Sequence, residues 1–421
     1  MKKMTAALAF IPALTISTAA LAVTANEVVT NYADIAHASY QDSLNTAVQL
    51  KSAIDAFVAS PSANTQTAAK AAWIAARAPY QQTEVYRFGN PIVDDFEGKV
   101  NAWPLDEGLI DYVDQSYGQE SDANPLYVAN VIANKSVSIG GDEIDATNIT
   151  PALLSGSLHE AGEVEANVAT GYHAIEFLLW GQDLNGNDKG AGNRSWTDYD
   201  LANCTNGNCA RRADYLVSAI DLMITDLEAI TAAWAKDGEA RKDIISAGDT
   251  AGLQRILTGM GSLSYGELAG ERMKLGLLLG DPEEEHDCFS DNTHNSHFYD
   301  VTGINNVWFG SYKRVDGSMI KGASLAQYLA EKDQVLSEEM AEKLKASLVA
   351  FGSLKTRAET IEAYDQMISE GNTEGNKVVQ TAIDMLVDQT RSIERVVAAL
   401  GIRDVTIEGS DSLDNPKSVF E

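Results

Sequence analysis

Apolar residues recur at spacings of three and four along most of the chain. In the first such run, Ala47, Leu50, Ile54, Phe57 and Val58 share one face, and the spacing predicts a helix over 28–58. Pro61 and Ser62 interrupt it. A second run through Ala68, Ala72, Trp73 and Ala76 continues toward Phe88, and Pro79 is expected to kink or break it, because proline has no amide donor and clashes with the preceding turn. Gly89, Asn90 and Pro91 open an irregular stretch to about 124. Further helices are expected over 162–181, 211–234, 262–279, 325–330, 337–351 and 377–400. Strand signals are sparse, with no sustained alternation of β-branched residues and no Asn-Gly turn joining two such runs. The expected fold class is all-α: helical bundles joined by long ordered loops at 181–210 and 281–306.

The N-terminus breaks this pattern. Lys2 and Lys3 precede an apolar run over 6–16, and Ala20-Leu21-Ala22 places small residues where a signal peptidase cuts, so 1–22 reads as an export signal. The remainder divides into an expected N-terminal bundle, 23–235, and a C-terminal bundle, 236–421. No later segment approaches the roughly 18 consecutive apolar residues of a membrane span. The expected location is periplasmic, with an outer-membrane-associated or extracellular location as the variants. Cysteine usage agrees with export, since Cys204 and Cys209 flank a polar loop short enough to be closed by a disulfide. Cys288 is left as a free thiol, a metal ligand or a partner of one of these.

With 421 residues and a hydrophobic content of 45%, the chain can bury a large core. Its formal charge is −30, with no clustered basic surface, which argues against nucleic acid and anionic lipid as partners and leaves cations open.

The sharpest chemical feature is Gly171-Tyr172-His173-Ala174-Ile175-Glu176. On a helix, residues three apart share a face, so His173 and Glu176 can aim an imidazole and a carboxylate at one point, a pairing suited to zinc or iron. A buried histidine–glutamate hydrogen bond that only fixes packing is the alternative. Further ligands must come from elsewhere. Glu84 lies between aromatics at a helix end, and Asp106 follows the Trp103-Pro104 turn beside Glu107. Glu271 is the counterpart of Glu176 if 266–271 is a degenerate copy of 171–176, as matching Gly, Ala and Glu positions suggest; a duplicated four-helix unit would then underlie both bundles.

A second cluster spans 281–297, where three of the six histidines, six acids and Cys288 fall within 17 residues. It reads equally as a divalent-cation site and as a loop held by side-chain turns. Other motifs fail. His159-Glu160-Ala161-Gly162-Glu163 lacks the second histidine of a zincin. The run from Asp183 through Asn185 and Asn187 begins like an EF-hand loop, but Asp188 stands where glycine is required and Arg194 where the bidentate glutamate belongs.

With Gly171-Tyr172-His173-Ala174-Ile175-Glu176, the stretches Asn101-Ala102-Trp103-Pro104-Leu105-Asp106-Glu107 and Glu283-Glu284-Glu285-His286-Asp287-Cys288-Phe289-Ser290-Asp291-Asn292-Thr293-His294 resemble the imelysin family, and within it the iron-regulated branch. The resemblance runs from Asn31-Tyr32-Ala33-Asp34 to the C-terminal helix. It implies two helical bundles arising by duplication, an exported protein linked to iron uptake, a metal at His173 and Glu176, and an uptake component in the outer or inner membrane as partner. Iron is the metal expected, with zinc or another divalent ion as alternative; Glu84, Asp106 or Glu271 would complete the shell. Two other readings stand beside it: a metallopeptidase using the same residues with Glu84 or Glu107 as base, and a non-enzymatic interaction protein in which the motif is structural.

Overall fold

The structure, a computed structural model, describes residues 22–420, so the expected leader lies outside the described residues apart from Ala22. The chain is all-α, as its periodicity predicts. The helices are α1 (Ala25–Ala59), α2 (Ala63–Gln81), α3 (Pro91–Asn101), the single turn α4 (Pro151–Leu153), α5 (Gly171–Trp180), α6 (Cys209–Trp234), α7 (Glu239–Ser246) and α8 (Asp249–Ser262). There follow α9 (Leu275–Leu279), α10 (Thr293–Phe309), α11 (Leu325–Ala330), α12 (Gln334–Thr360), α13 (Tyr364–Ile368), α14 (Thr373–Leu400) and α15 (Asp411–Asp414).

Local chemistry sets the ends. Thr24 and Glu27 form a reciprocal capping box at the start of α1, and Ser62 caps α2. Pro79 sits in the last turn of α2, which stops at Gln81 rather than continuing to Phe88. Pro91 occupies the first turn of α3, inside the stretch expected to be irregular, where a missing amide donor costs nothing. The helix expected over 162–181 is confined to α5, because Gly162 and Glu163 take left-handed conformations (φ +72° and +61°). The segment Leu263–Lys274 winds as a π-helix continuing α8.

The largest departure is at 281–306, expected as a loop but containing α10. Its first turns bury His294, Ser296, His297 and Asp300, so the apolar period starts only at Val301 and continues through Ile304, Val307 and Trp308. Two hairpins also escape the pattern. β1 (Ser136–Ile139) pairs antiparallel with β2 (Asp142–Asp145) around Gly140 and Gly141, and β3 (Ser311–Lys313) with β4 (Met319–Lys321). Their strands are short and mostly exposed, which leaves no buried face to read.

α1 packs along α2 and α6, and α5 lies against α2, α3 and α6. In the C-terminal half α12 packs on α14, which also covers the π-helical segment. α10 joins the two groups, packing on α2 from one side and α12 from the other. Among the described residues no helix is long and apolar enough to cross a membrane. Cys204 and Cys209 form the expected disulfide, while Cys288 is free and half-buried.

Candidate metal centre

The centre forms where α5, α2, α10 and the 285–292 loop meet. All ten residues of α5 are buried, so its polar side chains can only face other protein groups. Gly171 has a reason to be glycine: it holds φ +77°, and a Cβ there would lie 2.4 Å from the carbonyl oxygen of Val100. One turn on, His173 Nδ1 stands 3.0 Å from Glu176 Oε2. The other oxygen of Glu176 accepts from the Ser290 amide at 3.0 Å and from its hydroxyl at 2.6 Å, which ties the loop to α5. Phe177 against Phe289, with ring centroids 5.3 Å apart, seals this junction.

The loop thereby delivers His286 and Asp287. One ligand atom each from His173, His286 and Asp287 lies within 4.8 Å of the other two, the one such grouping of histidines, cysteines and acids among the described residues. The two imidazoles meet edge to face at 4.8 Å, and Trp103 covers His286 at 5.6 Å. His173 and His286 are each 1% exposed and Asp287 is fully buried.

Hydrogen bonds fix which atoms are free. His173 Nε2 has no partner. The Gln81 amide is oriented so that its nitrogen donates to Asp300 Oδ1 at 2.8 Å, which puts its oxygen 3.4 Å from His286 Nε2 and leaves His286 Nδ1 without a partner. Asp287 Oδ1 accepts from Arg77 Nη2 at 2.7 Å, and its Oδ2 accepts from Asn292 and Ser296. A carboxylate has about four lone-pair positions, so one remains on Oδ1. Each of the three residues thus keeps an atom with room for a further bond: His173 Nε2, His286 Nδ1 and Asp287 Oδ1.

The electrostatics favour neutral imidazoles. Burial, reinforced by Arg77, lowers His173 to about 3, and burial together with Arg272 takes His286 well below the usual histidine range. Burial pushes the Asp287 carboxyl up, yet the Arg77 guanidinium beside it holds it below the ordinary value. Glu176 is raised well above it by burial and by Asp287.

The other residues singled out from sequence lie apart from this grouping. Glu84 is buried in an ion pair with Arg272 (2.7 Å), which also binds Glu267 (2.7 Å) and Asp300 (3.4 Å). Asp106 accepts from Asn124 at 2.6 Å and, with Glu107, lines an acidic cavity of about 650 Å³ beyond Trp103. Glu271 is exposed, at the rim of a cavity of about 460 Å³ whose wall includes His286 and Trp103. The density of histidines and acids marks the 281–297 cluster in the sequence, but nothing local singles out His286 and Asp287 within it.

The fold and this grouping define a helical-bundle protein that buries two histidines and a carboxylate between its helices. Its family is specific: the profile described as imelysin matches residues 36–393, and the chain belongs to the imelysin family. It is similar to iron-regulated protein A of Synechococcus elongatus, 23% identical over 391 residues that cover 90% of this chain and 87% of that one. Among solved structures it resembles a protein described as an iron-regulated protein A precursor from Parabacteroides distasonis (18% identity, 89% of this chain and 94% of that one, TM-score 0.63). It also resembles an imelysin-like protein from Psychrobacter arcticum (15% identity, 90% and 98%, TM-score 0.57). At these identities the structural likeness speaks for the fold.

Proposed function

We propose that this protein binds iron, as Fe(II), through His173, His286 and Asp287 and serves an iron-uptake system at the cell envelope. The observation that carries the reading is the donor set: two imidazoles with unpartnered nitrogens and one carboxylate, grouped within 4.8 Å. Two histidines and one carboxylate with open positions are the ligands that suit non-haem Fe(II). Glu176 takes the role of orienting His173 through Nδ1, as carboxylates do behind metal-bound histidines, rather than that of a direct ligand. Similarity to proteins named as iron-regulated supports the choice of iron over zinc. The leader read from the sequence supports a periplasmic location, where such a binder would hand its cargo to a membrane component.

Anaerobic titration with Fe(II), followed by elemental analysis of the desalted protein, tests this. One bound iron per chain, lost in His173→Ala and in His286→Ala, is the expected result; a wild-type protein that retains no iron overturns it. The same donors suit a hydrolytic zinc with a bound water, which is the metallopeptidase reading. Burial of all three ligands argues against a polypeptide reaching them, and chelator-sensitive cleavage of an unfolded protein would reverse that judgement.

A further inference from the structure

The acidic cavity beyond Trp103 is lined by none of His173, His286 and Asp287, so the histidine centre does not account for it. Its volume of about 650 Å³ falls in the range of small-molecule sites. Three segments build it: the stretch 103–127, the loop after α5 and the turn before the histidine loop. They are fastened to one another. The Asp114 amide donates to Gln182 Oε1 at 2.6 Å, and the Tyr127 hydroxyl donates to the Tyr117 carbonyl at 3.0 Å. Gly108 has to be glycine, because a Cβ there would overlap the Tyr127 carbonyl.

Two kinds of side chain dominate the lining. The first is acidic: Asp106, Glu107, Asp114, Asp183, Glu283 and Glu284, with no lysine, arginine or histidine in the wall. None of the six is in an ion pair among the described residues. Glu107 lies deepest, 6% exposed, while Asp114, Leu184 and Glu283 are exposed at the mouth. The second kind is aromatic. Tyr117 and Tyr127 stack with ring centroids 4.2 Å apart and planes within 10°, and Trp103 stands near them in the wall. Elsewhere the chain covers aromatic faces with its own cations, as Arg77 does Tyr172, Arg194 does Tyr112 and Lys70 does Trp180. Among the described residues no lysine or arginine lies over Trp103, Tyr117 or Tyr127. The Tyr117 hydroxyl is buried without a hydrogen-bond partner.

Unpaired carboxylates and uncovered π faces both call for positive charge, and the spacing of the acids decides which kind. No three of them bring oxygens within 4.8 Å of one another, so they do not converge on a single metal ion. Charge spread along a cavity that also offers Leu105, Leu184 and aromatic rings matches charge spread along a hydrocarbon chain. We propose that this cavity binds a linear polyamine, an organic polycation whose ammonium groups are separated by runs of methylenes. Glu107 takes the innermost ammonium in a charge-assisted hydrogen bond, and the Tyr117 hydroxyl accepts from the same group. The methylenes lie on the Tyr117–Tyr127 pair, and the acids at the mouth take the outer ammonium groups. The site needs no metal at His173.

Calorimetric titration of the full chain with spermidine tests the site, at pH 8 and about 0.15 M NaCl so that loose surface attraction is screened. Wild type binds one spermidine per chain. Glu107→Gln weakens it at least about tenfold, as loss of a charge-assisted hydrogen bond does, and Tyr117→Leu at least about threefold. His173→Ala and Glu338→Gln, an exposed acid on α12, leave it unchanged. Thermal melts guard against variants that merely misfold: spermidine raises the melting temperature of wild type, and Glu107→Gln unfolds cooperatively on its own but gains nothing from the ligand. Absence of saturable binding up to about 5 mM spermidine overturns the proposal. Equal affinity in wild type and Glu107→Gln does so too, since the binding is then diffuse attraction to a chain of charge −30. Tighter binding of choline, which carries a single fixed charge, would rule out the polyamine.

Discussion

His173 Nδ1 and Glu176 Oε2 stand 3.0 Å apart, one helical turn along α5, and the bond decides what each residue can do. A neutral imidazole that donates from Nδ1 keeps its lone pair on Nε2, the atom that has no other partner. Glu176 has its second oxygen engaged twice by Ser290. The imidazole therefore keeps Nε2 free, and the glutamate fixes the orientation of its ring.

The two residues should then fail differently. His173→Ala abolishes iron binding, whereas Glu176→Gln, which keeps the size and an acceptor, weakens it by about 10- to 100-fold, the usual cost of removing a carboxylate behind a metal-bound histidine. Titration of both variants against wild type measures this. Equal, complete loss in the two would return Glu176 to the ligand shell.

Glu84 should matter to folding and not to the ion. Its partner Arg272 is buried and holds three carboxylates, and breaking a buried pair from one side costs about 3–5 kcal/mol. Part of that is recovered in Glu84→Gln because Arg272 keeps Glu267 and Asp300. The variant is expected to melt several degrees lower than wild type while binding iron with wild-type affinity.

How much of this the sequence disclosed depended on whether a residue's partners were close along the chain. The long amphipathic helices α1, α6, α12 and α14 follow from the 3.6-residue period, because an apolar stripe has one way to be buried. His173 and Glu176 were legible for the same reason, being three apart on a helix. His286 and Asp287 were not, although their segment stood out by composition. Their place beside His173 is set by Ser290 reaching Glu176 and Arg77 reaching Asp287, contacts across 114 and 210 residues that no local pattern encodes. The same polarity hid the start of α10, whose first turns bury histidines and an aspartate where an apolar stripe would stand.

Stability should fall as the pH rises through neutrality. Burial lifts the Glu107 carboxyl from 4.5 to about 7. A folded-state value above the unfolded one means that the native chain keeps its proton longer, so the contribution to stability is full below 4.5 and lost as pH rises through 7. With about 1.4 kcal/mol per unit, the loss from this group is on the order of 3 kcal/mol at most. Denaturant melts of the metal-free protein between pH 5 and 8 should show the decline, and Glu107→Gln should flatten it, since its amide does not ionise.

If Asp287 is a ligand as proposed, Arg77 should set the balance between a stable metal-free protein and a tight metal site. Its guanidinium is buried against Trp73 and Tyr172, with its charge spent on Asp287 at 2.7 Å. That pairing holds Asp287 ionised, and so ready as a ligand, but it also places a positive charge beside any incoming cation. Arg77→Met fills the same space without the charge. It leaves Asp287 buried and uncompensated, at a cost of about 3–5 kcal/mol to the metal-free fold, and it removes the repulsion felt by the ion. The variant should melt well below wild type without metal, bind Fe(II) roughly tenfold more tightly, which is about 1.4 kcal/mol, and gain more in melting temperature on loading. Because its unpaired carboxylate would take up a proton, its affinity should also rise more steeply with pH than that of wild type. Melting curves and Fe(II) titrations of the two proteins at pH 6 and 8 read all three effects; a lower melting temperature with unchanged affinity would take Asp287 out of the ligand set.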